Sequence, residues 1–188
     1  MSYLIFRNNK ATKILLKNYL VWIILIHFLG FFSPFTIQSQ QLSEAQIKTV
    51  YIYNFFSYLE WPKSKTSDNY KIGFTGNDPE VLKELQNLSK NKKVGGKPIL
   101  VKSINLDDTI PEIHMLYIAE SENLNFKNIA LRFHGRSTLL ISNNIRNKTM
   151  TMINLVPKDE NKIHFEINKP NIVFARIKIS PKILLRGG

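Results

Sequence analysis

The chain has 188 residues, with 26 Lys and Arg against 14 Asp and Glu, a net charge of +12 at neutral pH, and no cysteine. That length suits one domain of ordinary size and is too short for two separate catalytic domains, while 44% hydrophobic against 21% charged residues excludes a disordered tail. The lack of cysteine excludes disulfide scaffolds, thiolate metal sites, cysteine nucleophiles and a lipid anchor on a modified cysteine.

The N-terminal segment carries Arg7, Lys10, Lys13 and Lys17 and no acid, and then 20–32 runs apolar except for His27 and Gly30. An uncharged stretch of thirteen residues is short of the roughly 20 that cross a bilayer as a helix, and it fits the apolar region of a secretory signal. Ser33-Pro34 breaks it, and Ile37-Gln38-Ser39 offers a small residue at a cleavage point. We therefore expect a signal peptide over 1–39 and a mature domain over 40–188, the alternative being an uncleaved anchor reaching Ile37. Both place the domain outside the cytoplasm, the basic flank staying inside. Without Arg7, Lys10, Lys13 and Lys17 the mature chain keeps 22 cations against 14 anions, a net +8. Export removes such a basic domain from most nucleic acid and leaves acidic envelope partners, an anionic membrane surface or plain solvation to explain the charge.

Ser43 with Gln46 three residues on is a capping-box pattern, predicting a helix over 43–60 that Trp61-Pro62 stops. Tyr51, Tyr53, Phe55, Phe56, Tyr58 and Trp61 make its second half apolar nearly all round, which predicts burial on several sides. A polar linker, 63–69, leads to a strand over 70–75 that ends at Gly76-Asn77-Asp78-Pro79, where Asp78 caps a helix over 79–88. Residues 89–97 read as a basic turn. Short apolar strands follow over 98–104 and 114–119, then a helix over 126–133 and a strand over 138–142. Residues 150–156 and 162–168 predict a hairpin across 157–161, with Ile163, Phe165 and Ile167 on one face and His164, Glu166 and Asn168 on the other. In the tail Asn168 caps a helix starting near Pro170, 177–179 adds a strand and 181–185 a last helical turn. The order predicts a single compact α/β domain, a mixed sheet with helices on both faces and no disulfides.

Catalytic signatures fail on inspection. His164 and Glu166 share a strand face, but His114, His134 and His164 have no metal-ligand spacing. Ser89-Lys90-Asn91-Lys92 matches S-x-x-K inside a polar turn without its companion motifs, and Gly95-Gly96-Lys97 is followed by Pro98 where a phosphate loop needs Ser or Thr. No G-x-S-x-G elbow occurs. No catalytic residue, metal or cofactor is therefore expected. Asn54, an amide amid aromatics, needs partners if buried, so it fixes the helix to a strand or faces a ligand.

Taken in order, the motifs resemble a known family: Lys48 and Tyr51-Ile52-Tyr53-Asn54-Phe55, Glu60-Trp61-Pro62, Ile72-Gly73-Phe74-Thr75-Gly76-Asn77-Asp78-Pro79, Ile113-His114-Met115-Leu116-Tyr117-Ile118, Thr138-Leu139-Leu140-Ile141-Ser142, Met152-Ile153-Asn154-Leu155, Lys162-Ile163-His164-Phe165-Glu166-Ile167-Asn168 and Ile177-Lys178-Ile179-Ser180. Across nearly the whole mature chain this resembles the YfiR family of exported regulatory proteins. The resemblance implies a periplasmic α/β domain that self-associates, so a homodimer is expected. It also implies a non-enzymatic repressor of a membrane signalling protein, either a diguanylate cyclase controlling cyclic di-GMP or a histidine kinase. Many members carry a cysteine where Ile113 stands, so redox control does not carry over; many have a small residue and a glycine where Ile172 and Arg176 stand. We expect ligand or partner binding at Tyr53, Asn54, Trp61 and His114 around the aromatic helix, and at Glu166 and Asn168 on the hairpin. The other expectation is an envelope module for a small molecule or glycan, with no receptor.

Overall fold

The computed structural model describes Tyr19, 41–65, 68–105, 109–159 and 162–184. The expected signal segment lies outside the described residues, Tyr19 apart. The domain from Gln41 opens on the predicted capping box: Ser43 Oγ accepts from the Gln46 N–H at 3.2 Å, and Gln46 Oε1 accepts from the Ser43 N–H at 3.0 Å. Helix α1 (Glu44–Tyr58) follows, then strand β1 (Leu59–Glu60), β2 (Tyr70–Thr75), α2 (Pro79–Asn91), β3 (Lys93–Val94), β4 (Lys97–Ser103) and β5 (Met115–Ile118). The second half comprises α3 (Phe126–Arg132), β6 (Leu139–Asn143), β7 (Ile153–Asp159), β8 (Lys162–Ile167), α4 (Lys169–Phe174), β9 (Lys178–Ile179) and α5 (Pro181–Leu184).

Seven strands form one sheet in the order β3-β4-β2-β5-β6-β7-β8, and β1 pairs with β9 in a separate two-stranded ladder. The central strands β4, β2, β5, β6 and β7 run parallel, while β3 and β8 close the edges antiparallel. Crossovers leave β2 and β5 in opposite directions, so right-handed connections put α2 and α3 on opposite faces. Register fixes what each face presents: Ile72, Phe74, Met115, Tyr117, Leu139, Ile141, Ile153 and Leu155 are aligned partners on the α1–α2 side. Every residue of β5 and β6 is buried, as in a sheet covered on both faces. The predicted mixed α/β architecture is the observed one.

Helix α1 is less buried than its apolar sequence predicts. Only the stripe Ala45, Lys48, Thr49, Ile52, Phe55 and Phe56 is buried, and Val50 is exposed. The tyrosines flank that stripe, with Tyr51 donating to the Ile163 carbonyl at 3.0 Å and Tyr53 to the Lys93 carbonyl at 3.2 Å. The helix also ends early, because Leu59 and Glu60 leave it to pair with Ile179 and Lys178. Helix α2 runs past its predicted end into the basic turn: Ser89 donates to the Gln86 carbonyl at 2.7 Å and Asn91 to that of Asn87 at 3.0 Å, carrying the last turn. The rest of that turn is a tight hairpin, with Gly95 and Gly96 at positive φ between β3 and β4.

Strand β7 includes Pro157, which the sequence places in the loop. Its pairing with β6 covers only Ile153 to Leu155, so from Val156 onward one edge is open and the missing N–H of Pro157 costs no ladder bond there. A register shift between Pro157 and Asp159 absorbs the bend.

Candidate functional site

On the α3–α4 side an apolar groove of about 350 Å³ lies between Phe133 at the end of α3, Leu140 of β6, Met150 and Met152 of the β6–β7 connection, and Phe174 of α4, with Arg136 also in its lining. Phe133 and Leu140 are buried and form its floor. Phe174, in the groove wall, is 60% exposed, and α3 and α4 also carry the exposed apolar side chains Leu131 and Val173. The His134 and Phe174 rings meet at 4.8 Å across the opening. A second cavity of about 320 Å³, lined by Leu124, Phe126, Lys127 and Ile145, shares Thr149 and Met150 with the first. The stretch around Met150 is therefore a ridge between two depressions.

That ridge has no regular secondary structure, and side-chain amides hold it. Asn154 brackets Ile145, accepting from its N–H at 3.0 Å and donating to its carbonyl at 3.1 Å. Asn171 donates to the carbonyls of Thr149 at 2.9 Å and Thr151 at 2.8 Å. Asn168 caps α4 by accepting from the Asn171 N–H at 3.3 Å and reaches the Lys148 carbonyl at 3.4 Å. Glu166 bonds Lys148 Nζ at 2.5 Å and accepts from Asn154 at 3.1 Å. Burial alone raises the Glu166 pKa, but the bonds from Lys148 and Asn154 outweigh it and hold the carboxyl below its ordinary range.

The six residues expected to bind are not one cluster. Glu166 and Asn168 support the groove wall from behind. Trp61 and His114 meet on the opposite side of the sheet: Trp61 Nε1 donates to the His114 carbonyl at 3.1 Å, and the rings lie 5.7 Å apart, edge to face. His114 is buried with both ring nitrogens committed. Nδ1 accepts from the Lys71 N–H at 3.1 Å, which places the proton on Nε2, donating to the Lys65 carbonyl at 3.1 Å. Burial pushes its pKa down to about 4, against the pull of the Lys65 carbonyl and with the charges of Lys65, Lys71 and Lys97 lowering it further. This arrangement is a clasp between the Trp61 turn, β2 and β5. Tyr53 is occupied by the Lys93 carbonyl. Asn54 is half-buried and bonds no described residue, so it does not fix the helix to a strand.

The groove residues Phe133, Met150, Met152 and Phe174 escaped the sequence reading because they are up to 41 residues apart and on three separate segments. The one local signal is Phe174, apolar at a position of a short helix that faces solvent. Among the described residues no group of three His, Asp or Glu could hold a metal, and no helix is long and apolar enough to cross a membrane.

The chain is thus an α/β domain with a largely apolar groove on its α3–α4 side. The family model DUF4154, YfiR/HmsC-like, matches residues 45–186, and the chain belongs to that family. No curated protein matches it.

Proposed function

We propose that this protein is a periplasmic, non-enzymatic modulator that docks on the extracytoplasmic sensor region of a membrane diguanylate cyclase or histidine kinase and represses it. Residues 1–39 serve as its export signal. The observation that carries the reading is the open apolar groove with Phe174 at its lip, on a chain whose family is YfiR/HmsC-like. Methionine and phenylalanine give such a surface adaptable, largely non-directional contact, and Arg136 adds a charged rim. A module that binds one receptor conformation better than another shifts the output by that difference in affinity, with no chemistry of its own. Homodimerisation belongs to the same proposal and is read by sedimentation.

Tagged protein recovered from detergent-solubilised membranes of its native host should bring down a cyclase or kinase. Phe174→Glu should abolish that capture without lowering the melting temperature, because the ring is mostly exposed. Failure of the wild-type protein to retain any membrane signalling protein would refute the regulator. The groove's volume also suits a small apolar ligand. A ligand that raises the melting temperature while no receptor is captured would favour that second reading.

A further inference from the structure

On the other side of Arg136 from the groove lies a smaller, polar cavity of about 220 Å³. Its walls are Ser64 and Lys65 from the 3-10 turn after β1, Glu112 from the segment before β5, and Arg136, Ser137 and Thr138 from the α3–β6 connection. It shares only Arg136 with the proposed docking groove. Its lysine is fixed at both ends: the Lys65 carbonyl accepts from His114 Nε2 at 3.1 Å, and Lys65 Nζ donates to Thr138 Oγ1 at 3.1 Å. Thr138 is buried and gives its own hydroxyl proton to the Ile113 carbonyl at 2.9 Å, so its oxygen meets the ammonium purely as an acceptor. One of three ammonium N–H groups is used in that bond.

The electrostatics of the cavity are unbalanced. Burial pushes the Lys65 pKa down, Glu112 pulls it back, and the Arg136 charge adds to the depression. An anion placed between Lys65 and Arg136 relieves their repulsion and restores the hydrogen bonds that the half-buried ammonium lost with part of its water. Two cations and one carboxylate leave a single net positive charge, which one carboxylate ligand neutralises and a phosphate dianion overshoots.

We infer that this cavity binds a carboxylate, held by the Lys65 ammonium and the Arg136 guanidinium, with the Ser64 and Ser137 hydroxyls as further donors. The site stands whether or not the groove docks a receptor.

The test is a titration of the purified protein with sodium acetate and, separately, with inorganic phosphate. Ionic strength is held constant with chloride, and amide chemical shifts and melting temperature are followed. Acetate should give saturable shifts confined to residues around 64–65, 112 and 136–138 and should raise the melting temperature, with phosphate binding more weakly. Arg136→Gln should weaken acetate binding at least about tenfold while leaving the anion-free melting temperature unchanged, since one charge-assisted hydrogen bond contributes that much. Lys63→Gln, in the same turn but outside the cavity, should bind as the wild type does. Absence of saturation, equal affinity in Arg136→Gln, or phosphate binding more tightly than acetate would each overturn the assignment.

Discussion

Arg176 adopts φ +60°, in the left-handed region where a Cβ crowds the backbone. It follows the C-cap Ala175 of α4, with its N–H on the Val173 carbonyl at 2.8 Å and that of Ile177 on the Ile172 carbonyl at 3.2 Å, the closing turn of that helix. Arg176→Gly should therefore raise stability by about 1 kcal/mol, read as a higher denaturation midpoint at unchanged slope. The family resemblance implied a glycine at this position, and the left-handed backbone is a conformation that glycine adopts freely. His114 yields a second prediction. Its folded pKa of about 4 lies below the unfolded value of 6.5, so its contribution is complete above about pH 6.5 and drains as pH falls towards 4, about 3 kcal/mol in all. Urea unfolding at pH 7 and pH 4.5 should show this loss in the wild type and a much flatter profile in His114→Asn.

At the level of elements, the ridge between the two depressions depends on amides rather than on its own backbone bonds. Asn171→Ala leaves the Thr149 and Thr151 carbonyls without their shared donor and should cost about 1–2 kcal/mol. Hydrogen exchange should quicken selectively over 148–151. Most elements were legible in the sequence because their caps and periods are local: Ser43, Asp78 and Asn168 each cap the helix predicted for them. The two-residue strands β1, β3 and β9 were only partly legible, because a distant partner defines such strands. Pro157 misled for the same reason, since its tolerance depends on where β6 stops. Of the candidate site, Trp61, His114, Glu166 and Asn168 stood out as polar groups on apolar elements. What sequence could not reveal is that Trp61, His114 and Asn168 spend their hydrogen-bonding capacity on backbone and Glu166 on Lys148 and Asn154, and that the groove forms where four elements meet.

Across the whole molecule, the strand order places the reversal of crossovers between β2 and β5, where open α/β sheets commonly hold a ligand at the C-terminal strand ends. Here that crevice is filled. Tyr117 donates to Asp78 Oδ2 at 2.8 Å, the buried Lys48 of α1 lies 4.0 Å from the same oxygen and 2.6 Å from Glu44, and Phe74 stacks on Tyr117. Desolvation and the Asp78 charge push the Tyr117 pKa far up, so the phenol stays a donor. Tyr117→Phe should thus cost about 1–3 kcal/mol in urea unfolding and leave receptor capture intact, since the groove lies on the other face of the sheet.

The ladder between β1 and β9 has a consequence for how the chain acquires its structure. Helix α1, the first element of the domain, rests its Tyr51 and Phe55 rings on Phe165 of β8, and the residues that follow it pair with Ile179. The opening segment packs on α2 and β2 as well, but it finds the partners that complete its packing among the last thirty residues. A chain emerging from its N-terminus cannot close this core until almost all of it has been delivered, and such sequence-distant pairing folds slowly. The export proposed above requires the chain to stay unfolded while it is threaded through a translocation pore, and a core completed by sequence-distant pairing favours that delay.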